Sequence, residues 1–252
     1  AFALLMIDLF VSQRHKVWTH LFSVAVLAVV LVMLATGTGG QGEAFHGMFV
    51  RDTAADVMKT VIVLVSGLSL VYGWSYLRER NLYQGEIPVL VLFATAGMML
   101  LTSAGSLLMV YLGLELLALC SYALVASNRD NGLATEAAMK YFVLGSLASG
   151  LLLYGMSLVY GATGTLSLAG IHDAIEGSGE RTLLLTGTIF MIAGVAFKLG
   201  AAPFHMWLPD VYQGAPAPIA LFISSAPKLA AFGMAYRLLE MGMGPLSPQW
   251  HL

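Results

Sequence analysis

Residues 86–128, EIPVLVLFATAGMMLLTSAGSLLMVYLGLELLALCSYALVASN, decide the fold. Between Glu86 and Asn128 lie 41 residues with a single charge, Glu115. A helix that crosses a membrane needs about 20 mostly apolar residues, so this stretch holds two spans joined by a tight turn near Ser103-Ala104-Gly105. The same criterion, carried outward, gives six more segments. Residues 1–10 make half a span that ends at Ser12-Gln13-Arg14-His15-Lys16, so the chain is expected to start mid-helix; no basic leader or small-residue cleavage site marks a signal peptide. Spans two and three cover 17–36 and 54–76, the latter closed by Leu77-Arg78-Glu79-Arg80. Spans six, seven and eight cover 135–160, 183–207 and 219–239. Residues 241–252, with Gly242, Gly244, Pro245 and Pro248, read as loop.

The expected fold is therefore all-α, a polytopic transmembrane bundle of about seven complete spans after a truncated first. Composition agrees. Of 252 residues 58% are apolar and 10% charged, where a soluble domain carries about a quarter charged. With mean hydropathy +0.82, the chain has too few charges to coat a soluble core. A net charge of -2 offers nothing to nucleic acid, and the single Cys120 excludes a disulfide framework or a multi-cysteine metal site.

Short cytoplasmic loops collect Lys and Arg. Arg14, Lys16, Arg78, Arg80 and Arg129 fall in the odd-numbered loops, whereas Glu43, Asp52, Asp173, Glu176 and Glu180 crowd the second and sixth. The N-terminal end is thus expected on the outer, periplasmic side.

A charge at the centre of a bilayer costs about 2.5–3.5 kcal/mol on insertion scales, so such residues default to function. Four fall there: Glu115 in span five, Lys140 early in span six, Lys198 in span seven and Lys228 in span eight, three of the chain's five lysines among them. At a rise of about 1.5 Å per residue all four are expected in one layer near mid-membrane. Charges in a poorly screening medium bias one another's protonation strongly, which is what a proton relay requires. The structural alternatives are snorkelling for Lys140 and a packing ion pair for the others. Lys59, near the outer end of span three, reads as snorkelling to the interface.

Helix breakers flank the lysines. Gly194, Gly200 and Pro203 surround Lys198, with Pro203 expected to open the backbone near residue 199, and Pro227 directly precedes Lys228 and is expected to loosen the helix near Ile223. Interrupted membrane helices are tolerated where they line hydrated cavities. His205 is a relay candidate or a polar cap at the end of span seven. Asp210 is expected to stabilise the turn after Pro209, and Gly145 and Gly150 to form a close-packing face. His15, His20, His46, His172 and His251 carry no signal. No phosphate loop, dinucleotide fingerprint, HExxH or CxxC is present, so no metal or cofactor ligand set emerges.

At FKLGAAPFHMWLPDVYQGAPAP (197–218), with YLGLEL (111–116) and EAAMKY (136–141), the sequence resembles subunit N of bacterial proton-pumping NADH-quinone oxidoreductase, respiratory complex I, within the antiporter-like membrane subunit family. The resemblance covers essentially the whole chain. It implies fourteen helices with two inverted five-helix repeats, of which this chain carries one: 1–85 as helices 1–3, 86–240 as the first repeat, helices 4–8, and 241–252 as a loop at a truncated C-terminus. Glu115, Lys140, Lys198 and Lys228 match the family's charged positions on helices five to eight. Pro227 stands where the family usually has a small polar residue.

The resemblance also implies a function. The subunit would couple NADH-to-quinone electron transfer, performed elsewhere, to proton translocation in a bacterial inner membrane. NADH, FMN, iron–sulfur clusters and quinone would sit on other subunits, with neighbouring antiporter-like subunits as partners. A sodium/proton antiporter subunit, stand-alone or Mrp-type, and a purely structural membrane subunit remain the alternatives.

Overall fold

A computed structural model describes residues 1–10, 16–177 and 179–250. Arg14, His15 and His251 lie outside the described residues. Among these described residues eleven α-helices and a two-stranded ribbon follow in order: α1 (Phe2–Phe10), α2 (Val17–Ala35), β1 (Gly42–Ala44), β2 (Phe49–Arg51), α3 (Thr53–Glu79), α4 (Glu86–Thr102), α5 (Leu107–Val125), α6 (Gly132–Thr163), α7 (Leu168–Ile175), α8 (Arg181–Leu199), α9 (Trp207–Gly214), α10 (Ala217–Ala235) and α11 (Ser247–Trp250). A π-helical turn, Tyr236–Gly242, extends α10.

The opening stretch divides as its composition requires. α4 ends at Thr102, and Ser106 starts α5 by accepting a hydrogen bond from the Met109 N–H. Among the described residues, six helices are long and apolar enough to cross a membrane: Lys16–Ala35, Thr53–Glu79, Leu107–Val125, Gly132–Thr163, Arg181–Leu199 and Ala217–Gly242. Glu86–Thr102 is shorter, at 17 residues, or about 26 Å. Its position explains why that suffices: α4 is the hub, packed by α2, α3, α5 and α10, and most of its side chains are buried in protein. By contrast α2 turns Val26, Val29 and Val32 away from the bundle, and α6 does the same with Leu147 and Tyr154.

Two helix pairs approach so closely that only glycine fits at the crossing. A Cβ on Gly97 of α4 would lie 2.8 Å from the Gly113 carbonyl of α5, and one on Gly113 would lie 2.9 Å from the Gly97 carbonyl. Gly155 of α6 and Gly187 of α8 repeat the arrangement at 2.6 and 2.8 Å. This is the small-residue packing that membrane helices use where burial from water supplies no drive. The expected face at Gly145 also exists, since the Tyr122 ring lies against its backbone, but Gly150 meets open space.

Several expectations need correction. The connection after span two is the β1–β2 ribbon, its turn carrying Phe45 and His46 at positive φ; its main chain bonds the α4–α5 turn through Val50 N–H to Ser103 O and Gly105 N–H to Met48 O. The ribbon end of the bundle forms its hairpin face. On it lies α7, inside what reads as a plain loop, burying Leu168, Ile171 and Ile175 against the π turn. Residues 241–250 are not loop but helical turns packed under α7. Lys59 does not snorkel: the ribbon folds over it, leaving it 3% exposed with its amine 4.8 Å from the centre of the Phe49 ring.

On the opposite face Asp8 of α1 accepts from Thr19 at 2.7 Å and pairs with Lys16 at 3.6 Å. Nearby the Tyr83 hydroxyl donates to the Lys16 carbonyl at 3.0 Å. Burial, with the Asp8 carboxylate adding to it, pushes the Tyr83 phenol up, so it keeps this proton.

Gly187→Val is expected to destabilise the folded subunit by about 1–3 kcal/mol, because the added atoms meet backbone that no rotamer change can move. A lowered thermal midpoint of the detergent-purified protein checks this; an unchanged midpoint would mean that α6 and α8 do not meet at these glycines.

Candidate functional site

The site is built on the end of α8. Gly200 adopts a left-handed conformation at φ 74° and stops the helix directly after Lys198 and Leu199. A Cβ at Gly200 would lie 2.5 Å from Leu208 Cδ1 and 3.1 Å from Lys228 Nζ, so both conformation and space call for glycine.

A helix end leaves its last carbonyls without intrahelical donors. Here they are all supplied from inside the protein. Ala201 N–H donates to Ala196 O at 2.9 Å, and Gly200 N–H to Phe197 O at 3.1 Å. The Phe197 carbonyl also accepts from Trp207 Nε1 at 3.0 Å. Lys228, reaching across from α10, donates through Nζ to Lys198 O at 3.0 Å and Leu199 O at 3.1 Å.

Aromatic rings wall this junction. Trp207, at the start of α9 and 2% exposed, stacks on Tyr141 of α6 at 4.6 Å and on Phe197 at 5.4 Å. The Lys228 amine lies 4.6 Å from the Trp207 ring centre, within cation–π range. Lys198 Nζ lies 5.8 and 5.9 Å from the ring centres of Tyr122 and Tyr141. The two lysines share a cavity of about 10 Å³ with Leu114, Ile223 and Pro227, which is the room one water needs.

Lys198 Nζ is buried and has no hydrogen-bond partner among the described residues; the same holds for Glu115 Oε1 on α5. Glu115 and Lys228 both act electrostatically on Lys198, yet no direct ion pair joins Glu115 to Lys198. Pro227 does not break α10, which runs on to Ala235. It does withhold a donor from the Ile223 carbonyl, and both residues line the lysine cavity.

Two sequence candidates lie elsewhere. Lys140 is not in the central layer: its amine pairs with Glu136 at 2.9 Å and Asp210 at 3.2 Å, and its side chain is 43% exposed. Helical side chains lean toward the N-terminus of their helix, here toward the membrane face. Asp210, expected to hold the turn after Pro209, instead ties α9 to α6 through that pair. His205 is exposed on the turn between α8 and α9, and its side chain has no hydrogen bond or ion pair among the described residues. Trp207, conversely, is central here although no charge or spacing marked it. The sequence signals available were an indole between two prolines, beside a helix stop, and its place within the 197–218 motif.

The family model described as "NADH:quinone oxidoreductase/Mrp antiporter, TM" matches residues 104–252, the segment that holds every one of these residues. The chain belongs to this family. Within it the chain is similar to NADH-quinone oxidoreductase subunit N of Xanthomonas euvesicatoria pv. vesicatoria (strain 85-10), 96% identical over 100% of this chain and 52% of the relative. The corresponding subunit of Halorhodospira halophila (strain DSM 244 / SL1) is 52% identical over 97% of this chain and 51% of its own length. The chain thus spans about half the length of the curated relatives it matches.

A chain of respiratory complex I from Thermus thermophilus superposes with TM-score 0.78 at 34% identity, over 94% of this chain and 50% of that one. A chain of the Mrp complex from Dietzia sp. DQ12-45-1b shares the fold at TM-score 0.80 and 24% identity, over 96% of this chain and 47% of that one. The family's antiporter-like fold and the multi-pass membrane character of the chain follow.

Gly200→Ala is expected to cost about 1–2 kcal/mol from the left-handed backbone alone and to push Lys228 off its two carbonyls. Thermal unfolding reads the first effect. A Gly200→Ala protein as stable as wild type would contradict the helix stop described.

Proposed function

We propose that this chain serves in a proton-translocating membrane subunit of NADH-quinone oxidoreductase, in a bacterial inner membrane. Electron transfer from NADH to quinone, with its FMN and iron–sulfur centres, belongs to other subunits. The partners of this chain are the neighbouring antiporter-like membrane subunits.

One observation carries the reading: Lys198 and Glu115 each keep a buried polar atom unpartnered inside a membrane bundle, with Lys228 one cavity away. A buried group without a partner is expensive in lipid. A structural ion pair would close the gap between Glu115 and Lys198; a relay needs it open, so that a proton or a water can enter.

The carbonyl pair at the end of α8 suits Lys228 to this work. A neutral amine has two N–H groups, enough for both Lys198 O and Leu199 O. An ammonium has a third, which can point at the cavity. Lys228 can therefore release or accept a proton through that third position without surrendering either bond, and the water-sized cavity carries the proton between its amine and that of Lys198. Each proton transferred changes the field at the next group, so the charge states of Glu115, Lys198 and Lys228 are coupled. Lys140, with Glu136 and Asp210, forms the charged entry on the face opposite the hairpin. Its open cavity of about 70 Å³ includes Gln213.

In the complete complex, Lys198→Ala and Glu115→Ala are each expected to lower proton pumping and coupled NADH:quinone activity by about tenfold. Lys140→Ala, which removes only exposed pairs, is expected to cost less than about twofold. Proteoliposomes energised with NADH and a soluble quinone give both numbers. Unchanged rates for the first two variants would leave a structural subunit as the better reading. Sodium-coupled flux without any redox partner would instead favour the antiporter.

A further inference from the structure

Nine residues beyond Lys228 along the same helix sits a cation that the relay does not use. Arg237, on the π turn, is 2% exposed. Its Nη2 pairs with Asp52 Oδ2 at 2.8 Å, its Nε donates to the Thr102 carbonyl at 3.0 Å, and its Nη1 meets Met241 Sδ at 3.5 Å. Asp52 is itself fixed, because it caps α3 by accepting from the Ala55 N–H at 2.7 Å. Three elements, α3, α4 and the α10 extension, therefore converge on one guanidinium.

What lies on either side gives the arrangement its meaning. Toward the membrane centre, Leu101 and Ala231 line the lysine cavity. Toward the hairpin face, Ala104 and Arg237 line a much larger cavity of about 670 Å³, together with Glu43, His46, His172 and Glu240. The same two chain segments, 101–104 and 231–237, thus border both spaces, with the Thr102–Arg237 bond between them. The packing there is tight: a Cβ on Gly233 would lie 2.8 Å from Thr102 Cγ2 and 3.0 Å from Met58 Sδ. Beside it, Lys59 is covered by Phe49.

We infer that Arg237, held by Asp52 and the Thr102 carbonyl, is a fixed cationic barrier that seals the lysine cavity from the large open cavity at the hairpin face. A guanidinium remains charged whatever its surroundings, and although Asp52 offsets part of that charge, a positive group fixed in a narrow passage repels protons and other cations. The barrier keeps protons on Lys198 and Lys228 from escaping toward the hairpin face when no turnover drives them. This rests on the relay reading for what is being contained, but the seal is measurable by itself.

The test uses the full-length subunit in the assembled complex. After a pH jump across proteoliposomes without NADH or quinone, Arg237→Gln is expected to raise passive proton leak about tenfold. Arg237→Lys, which keeps the cation, should leave it at the wild-type level. Adding Lys198→Ala to Arg237→Gln should return the leak to baseline. An assembled Arg237→Gln complex with wild-type leak overturns the barrier, as does a leak indifferent to Lys198.

Should Arg237→Gln fail to assemble, the double variant Arg237→Met with Asp52→Asn, which removes the cation without leaving a buried unpaired carboxylate, decides the matter by the same pH jump. A raised leak that Lys198→Ala abolishes is expected; a wild-type leak overturns the inference. The leak is read without NADH or quinone, so an unaffected pumping rate in Lys198→Ala would remove the relay while the seal is still read directly.

Discussion

A helix that ends inside a membrane exposes carbonyl groups where no bulk water can bond them. In this bundle that single constraint organises the site. Gly200 stops α8, and the groups that then satisfy its last turn are the ones with chemical consequence: the Trp207 indole takes the Phe197 carbonyl, and the Lys228 amine takes those of Lys198 and Leu199. Removing the interruption would remove the reason for Lys228 to reach across and for Trp207 to be buried. The lysines are neighbours because a backbone end needed donors.

The rest of the fold holds that end in place without closing it by an ion pair. The α4 hub and the glycine crossings at Gly97–Gly113 and Gly155–Gly187 bring backbones together at separations no side chain tolerates. The bundle therefore holds α5, α6, α8 and α10 in fixed positions rather than letting them collapse. Within it Glu115 and Lys198 influence each other without a direct ion pair, and each keeps a buried polar atom unpartnered.

Scarcity made part of this legible in the sequence. Where 10% of residues are charged, a lysine in mid-span is conspicuous, so Lys198, Lys228 and Glu115 could be read directly, and the helix stop near residue 199 followed from Gly200 and Pro203. Depth along a helix was legible too, but the direction of a long side chain was not. Lys140 lies within reach of the central layer, yet Glu136 on the same helix and Asp210 on α9 draw its amine toward the face. Lys59 went the other way: its position looks interfacial, and only the ribbon folded back over it, with Phe49 as a lid, buries it. Trp207 carries no charge, so a search for charges passes over it although it touches both the helix end and Lys228.

Arg237 shows the same limit from the opposite side. At the end of a span, an arginine reads as a side chain that snorkels to the membrane face, and its sequence neighbours give no hint that Asp52 and Thr102, far away in the chain, enclose it. Its burial depends on the π turn, which holds Tyr236–Gly242 in the helix while α10 packs against α3 and α4. A π turn inserts its extra residue without ending the helix, and such turns concentrate at functional positions. Here Lys228, which can change its charge, and Arg237, which cannot, lie on one continuous rod. A relay on a rigid helix needs both kinds of cation: one to pass the proton on and one to limit where it can go.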